Sequence, residues 1–289
     1  MKNRFFRITI LLLTLLILLP AQVHAAEADL IGGEGSGIVN FLLIGRDTQE
    51  GKHGRSDSII LCTLNKAENK ITLTSFLRDL YLPIPGHGSN RINAAYAFGG
   101  APLLKKTLQN NFRLHIDGCI QADFSQFAQI IDLLGGVEIT LRADEATHIA
   151  QETGTTLSEG TQILNGVQAL SYSRIRKLDN QGDFGRTHRQ RKILQAVANQ
   201  VRTAPLPTLL SLVRRMIPMI STDLDTGDIL SYALTFAPLL TGGTITSQHI
   251  PAPESCRYET IQGMSVLTAD MSALHRILKD TLLPRSSAQ

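Results

Sequence analysis

The sequence predicts a mixed α/β fold in which a central β-sheet is flanked by helices. Two observations carry this prediction. Three short, β-rich apolar runs come first, at residues 39–44, 58–64 and 71–76, separated by turn formers that include Gly51 and Gly54 in one gap and Asn65 with Asn69 in the other. After them, strand-like runs alternate with segments whose apolar residues recur at helical spacing.

The elements follow in order. Helices are expected at 92–98 and 102–110, then a strand at 116–122. Asp123 is placed to cap a helix that Gly135 would end, with Phe124, Phe127, Ile130, Ile131 and Leu134 along one face. Residues 137–141 read as a strand, and 164–172 and 187–202 as helices, the second with Ile193, Leu194, Val197 and Val201 in phase. Helices at 209–217, 229–239 and 271–282 flank a last strand at 244–250, with no linker to split them off.

Composition bounds the function. The chain has 289 residues, 43% hydrophobic and 18% charged, which excludes disorder and fits one large domain. Lys2, Arg4 and Arg7 precede an apolar stretch at 8–19, and Val23-His24-Ala25 offers a small-x-small site. Residues 1–25 therefore read as an export signal or a short membrane anchor, and the protein as extracytoplasmic: secreted, or held at the membrane or cell wall. With Lys2, Arg4 and Arg7 set aside, the 28 basic and 25 acidic residues come to parity, which disfavours nucleic acid as a partner. Residues 26–37, with four glycines, read as a flexible linker, and 38–289 as the folded domain. Cys62, Cys119 and Cys256 have no CxxC spacing, and Cys62 and Cys119 sit in strand-like contexts as small apolar thiols.

Two clusters carry chemistry. Asp47 ends the first strand, Arg55 and Asp57 open the second, and Arg78 with Asp79 end the third. An antiparallel meander brings these positions to one sheet edge. Two carboxylates meeting there repel unless a hard cation lies between them, and arginine forks match phosphate oxygens. In the second cluster, five arginines fall between 174 and 191, and Arg186, Arg189 and Gln190 share a helical face near an N-terminus whose free N–H groups favour anions. A solvated basic face usually interleaves acidic partners, and none occurs between Arg186 and Arg202. P-loop, HExxH, GxSxG and EF-hand patterns are absent, and the glycines at 32–37 precede a strand rather than follow one, against a dinucleotide site.

Seven motifs occur in order over residues 38–202: Leu43-Ile44-Gly45-Arg46-Asp47, Gly54-Arg55-Ser56-Asp57-Ser58, Arg78-Asp79-Leu80-Tyr81, the run from Arg91 to Gly100, Asp132-Leu133-Leu134-Gly135-Gly136-Val137, the run from Leu164 to Leu170, and Gly182-Asp183-Phe184-Gly185-Arg186 with Arg189-Gln190. Together they resemble the catalytic domain of the LytR-CpsA-Psr family, which attaches lipid-linked glycopolymers to the bacterial cell wall. Gln49, Leu77 and Arg91 depart from its commoner arginine, proline and lysine.

The resemblance implies an α/β/α domain that holds a polyprenyl (pyro)phosphate, its tail in an apolar tunnel and its phosphates among arginines and Mg²⁺ or Mn²⁺. Asp47 and Asp57 resemble the metal ligands, and Arg55, Arg78, Arg174, Arg176, Arg186, Arg189 and Gln190 the pyrophosphate-binding set. Asp79, Arg78 and Arg55 take the catalytic positions, with Asp79 orienting Arg78 or assisting proton transfer. The implied reaction is phosphoryl transfer from the lipid carrier to a peptidoglycan hydroxyl at the membrane surface. A polyprenyl pyrophosphate hydrolase, or a non-catalytic lipid-binding regulatory module, would use the same residues. The helices from Ala94 to Leu108 and Phe124 to Leu134, with Ile116 and Ile120, are expected to wall the tunnel, and Ala128 to lie on its lining.

Overall fold

The computed structural model describes residues 30–47, 54 and 56–283. The export signal or anchor, and Arg55, lie outside the described residues. The sheet has six strands in the order β10-β3-β2-β1-β6-β9. Strands β1 (Ile38–Arg46), β2 (Ser56–Asn65) and β3 (Lys70–Phe76) form the expected antiparallel meander, and β6 (Gly118–Asp123) lies parallel to β1. The two-residue β9 (Ser221–Thr222) closes one edge and β10 (Thr244–Ile250), parallel to β3, the other.

Side chains alternate along each strand, so the sheet has two faces. On one, Leu42, Ile44, Ile59 and Leu61 pack with Leu104 and Leu108 of α1 (Ile92–Phe112) and with Leu274 and Leu278 of α8 (Met271–Leu282). Helix α1 breaks at Gly99–Gly100, where the sequence places a gap between two helices; Gly100 takes φ +63°. On the other face lie α5 (Gly182–Val201), α6 (Leu206–Met216) and α7 (Thr226–Gly242). Helix α2 (Phe124–Leu133) starts on a capping box: Asp123 accepts from the Gln126 amide and Gln126 accepts from the Asp123 amide, with Gly135 at φ +82° just past its end.

A second core lies beside the sheet, built by β7 (Val137–Leu141), α3 (Ala143–Thr153), β8 (Gly160–Leu164), α4 (Gly166–Arg174) and Ile193 of α5. Two small hairpins, β4–β5 (Tyr81–Ile84, Gly88–Arg91) and β11–β12 (Cys256–Ile261, Met264–Ala269), flank the end of β3.

Two expectations need correction. Residues 30–37 are not a free tether, because Ile31 is fully buried, bridges Leu114 and exchanges backbone hydrogen bonds with Arg113 and His115. Residues Ala94 to Leu108 and Ile116 do not line the apolar cavity beside the site: Ala101, Leu104, Leu108 and Ile116 fill the core on the α1 side. Among the described residues no helix is long and apolar enough to cross a membrane.

Candidate active site

The site begins with an irregularity in the β1–β2 ladder. Gly45 pairs with Ser58 and Arg46 with Ser56, so Asp57 is the extra residue of a bulge. A bulge re-aims the side chain it carries. Gly45 permits the close approach, since a Cβ there would stand 2.9 Å from that of Ser58. From the end of β3, Arg78 donates from Nη1 to Asp57 Oδ1 at 2.7 Å. Asp79 Oδ1 accepts from Arg91 at 3.1 Å, and its Oδ2 lies 3.7 Å from Arg78 Nε.

Helix α5 supplies the third side. Arg186 is buried; its Nη2 donates to the Asp57 carbonyl at 2.8 Å, and its Nη1 is 3.5 Å from Asp57 Oδ1. One turn earlier, Asp183 Oδ1 is 2.6 Å from Arg186 Nη2 and 3.5 Å from Arg78 Nε. Arg176, just past α4, reaches within 3.7 Å of Asp57 Oδ2. The seating of α5 rests on Arg191, also buried, which donates to Ser75 Oγ at 2.6 Å and meets His249 at 3.0 Å. Burial holds Arg191 down to about 10 and His249, beside that cation, to about 4.

The electrostatics follow from this crowding. Burial raises the Asp57 carboxyl, but Arg186, Arg78 and Arg176 outweigh it and hold it below the ordinary carboxyl value of 3.8. Asp183 goes the other way: burial dominates over the nearby Arg186 and Arg78 charges, and its pKa is raised. Four guanidinium groups, on Arg78, Arg91, Arg176 and Arg186, face three carboxylates, leaving an excess of positive charge suited to an anion.

Beside this cluster lies an apolar cavity of about 420 Å³ between the sheet and helices α2, α5 and α6. Its walls include Leu43, Ile120, Phe127, Leu194, Val197 and Val213. The polar residues on it are Ser58, Asp123, Ser173 and Gln190; Ser58 follows Asp57, and Gln190 lies one turn after Arg186 with its buried Oε1 unpartnered. Ile120 and the α2 residues Phe124, Phe127, Ile130 and Ile131 thus line the cavity as expected, whereas Ala128 does not; its carbonyl lies against Gly166, where a Cβ would come within 2.1 Å.

The other predicted residues divide. Arg189 is buried and does not join the phosphate-facing set: its Nε donates to Glu145 Oε1 at 2.8 Å, Nη2 to Asp179 Oδ2 at 2.6 Å and Nη1 to the Ile175 carbonyl at 3.4 Å. Those acceptors come from α3 and the α4–α5 connection, too distant in sequence for charge spacing along one helix to show them. Arg174 sits over the Phe124 ring, 4.9 Å from its centroid, beside the cavity rather than on Asp57. Asp47 has no hydrogen bond or ion pair with another described residue, and the structure puts it one residue beyond the Arg46–Ser56 pair that precedes the bulge. Among the described residues no three His, Cys, Asp or Glu side chains converge as a metal cage. Sequence reasoning left Asp183 out of the site; its signal is the i,i+3 pairing with Arg186 at a helix N-terminus. Burial holds the Cys62 and Cys119 thiols up to about 12, so both stay inert, as expected of apolar thiols.

An α/β/α sandwich with an arginine–carboxylate cluster at one sheet edge and an apolar cavity alongside defines a protein suited to an anion that carries an apolar tail. The chain belongs to the LytR_cpsA_psr family, whose model matches residues 21–281. It is 33% identical over 226 residues to regulatory protein MsrR of Staphylococcus aureus (strain COL), covering 75% of this chain and 67% of that one. It is 39% identical over 168 residues to a polyisoprenyl-teichoic acid–peptidoglycan teichoic acid transferase, TagU, of Oceanobacillus iheyensis, covering 56% of this chain and 51% of that one. Among solved structures, TagT bound to LIIa-WTA superimposes with a TM-score of 0.72 at 26% identity, covering 88% of this chain and 95% of that one. The mixed α/β architecture is thus that of its structural relatives.

Proposed function

We propose that this chain is an extracytoplasmic phosphotransferase that moves a glycopolymer or phosphosugar from a polyprenyl-pyrophosphate carrier to a peptidoglycan hydroxyl. The observation that carries the reading is the adjacency of cluster and cavity: phosphates need the guanidinium groups, and a prenyl tail needs apolar walls. Burying each CH₂ of such a tail is worth about 0.8 kcal/mol, which offsets its removal from the membrane. The names of the TagU and TagT relatives agree with this substrate class.

In this reading Arg176, Arg186 and Arg78 hold the phosphate oxygens, with Arg174 at the cavity side and Gln190 Oε1 open to a donor from the substrate. The acceptor hydroxyl attacks the sugar-linked phosphorus, the bond to the lipid phosphate breaks, and the lipid monophosphate leaves along the cavity. Asp79 takes the proton of the attacking hydroxyl. Guanidinium charge stabilises the transition state, where most catalysis of phosphoryl transfer resides.

The donor set fits a hard cation: Asp57 keeps a quarter of its side chain exposed at the bulge, and Asp47, without a partner among the described residues, offers a second carboxylate. Magnesium needs only one or two carboxylates when substrate phosphates complete its shell. Bound there, it would neutralise charge developing on the phosphate oxygens.

The test incubates the purified chain with a lipid-linked glycopolymer, with and without peptidoglycan. Polymer coupled to peptidoglycan supports the transferase. Release of free polymer at equal rates in both arms makes the chain a hydrolase, and lipid retention with no turnover makes it a binding module.

A further inference from the structure

The β11–β12 hairpin lies outside the seven ordered motifs, yet the backbone ties it to the site. Leu267 donates its N–H to the Asp79 carbonyl at 2.8 Å and bridges Leu80. Its cross-strand partner on β11 is Tyr258, and directly opposed residues of an antiparallel pair share a face. Tyr258 therefore stands one strand over from the residue bonded to Asp79, with 61% of its surface exposed and its phenol within reach of the Asp79 and Asp183 charges.

We infer that the ring of Tyr258 is the platform on which the sugar of the acceptor stacks before its hydroxyl attacks, an inference that rests on the transferase reading above. Three observations converge on it. First, phosphoryl transfer needs the attacking and leaving oxygens roughly in line, so the acceptor must approach from the side opposite the lipid. The cavity is walled by β1, β2 and β6, whereas the hairpin that carries Tyr258 bridges Leu80, past the end of β3, which lies beyond β2 in the sheet. Second, Tyr258 has a free face. The other exposed aromatic residue among those described, Phe98, is 46% exposed but already stacked on His87 at 4.6 Å. Third, the ring is in the field of the reacting groups: partial burial and the carboxylates of Asp183 and Asp79 raise the phenol, which stays a neutral, amphipathic surface. A tyrosine of this kind offers a large rigid contact at low entropic cost, suited to a pyranose ring with an apolar and a polar side.

The test measures the KM for a soluble glycan fragment of peptidoglycan and the KM for the lipid-linked donor separately, in wild type, Tyr258→Ala and Tyr258→Phe. Loss of the ring should raise the acceptor KM at least about tenfold and leave the donor KM unmoved, whereas phenylalanine, which keeps the ring, should match wild type on both within about twofold. An unchanged acceptor KM in Tyr258→Ala overturns the inference. Equal losses in Tyr258→Phe and Tyr258→Ala overturn it too, because the hydroxyl would then be the working group. If the wild type turns over donor yet couples none to the fragment, the transferase reading falls, and with it the inference, before any variant is compared.

Discussion

Arg78 donates to Asp57 at 2.7 Å, and this bond joins the end of β3 to the bulge at the start of β2. Repulsion between two carboxylates at this edge would make removal of Asp57 harmless or stabilising. The geometry reverses that expectation, since Asp57 is the counter-charge for three arginines. Asp57→Ala should abolish transfer and also lower stability by about 1–3 kcal/mol, the cost of stranding charged donors that lose an acceptor. Thermal unfolding checks this, and an unchanged melting temperature would separate Asp57 from the arginines.

The same residue gives a pH dependence whose sign is fixed. Asp57 is held below 3.8, so its contribution to stability is fully present above that value and is lost as the pH falls through the lower folded-state value. The stability gap between wild type and Asp57→Asn should therefore be constant from neutral pH to about pH 5 and close in stronger acid. Denaturant unfolding across that range measures it. A gap that widens on acidification would contradict the assignment.

Arg189 and Arg174 should respond in opposite ways. Arg189 joins α5 to α3 through a buried ion pair with Glu145, and breaking such a pair typically costs about 3–5 kcal/mol. Arg189→Met should thus melt at lower temperature, with donor affinity retained in the folded fraction. Arg174→Ala removes only an exposed cation over Phe124; it should weaken a polyprenyl pyrophosphate about tenfold and leave the melting temperature unmoved. Calorimetric titration and thermal unfolding of both variants decide the division.

These contrasts show where the sequence was legible. Local signals held: the three meander strands, the Asp123 capping box and the Gly99–Gly100 break are written in alternation, cap chemistry and turn residues within a few positions. The faces of the sheet were not, because an apolar run reads alike whether it fills a core, as Leu104 does, or lines a cavity, as Val197 does. Partners distant in the chain were equally hidden. Arg186 and Arg189 share the spacing that suggested one anion-facing set, but Glu145, 44 residues from Arg189, claims the second for the interior.

The cavity gives the last prediction. A second apolar space of about 190 Å³ adjoins the first, and Ile120, Val213 and Ile229 line both, so they stand where the two spaces meet. A prenyl tail that threads the first space would reach the second only past these three side chains. Enlarging one of them, as in Val213→Phe, should weaken long-chain donors far more than short-chain analogues, since only the distal units are displaced. Stability should hardly change, because the added ring enters open space; the same change in a filled core costs about 1–3 kcal/mol through displaced neighbours. Truncation of Leu104 supplies the contrast: Leu104→Ala empties the α1 side of the sheet and should cost about 2–5 kcal/mol with no dependence on donor length. Donor affinity measured against chain length for the two variants, with melting temperatures alongside, checks both. Equal loss for long and short donors in Val213→Phe would mean that the tail lies elsewhere.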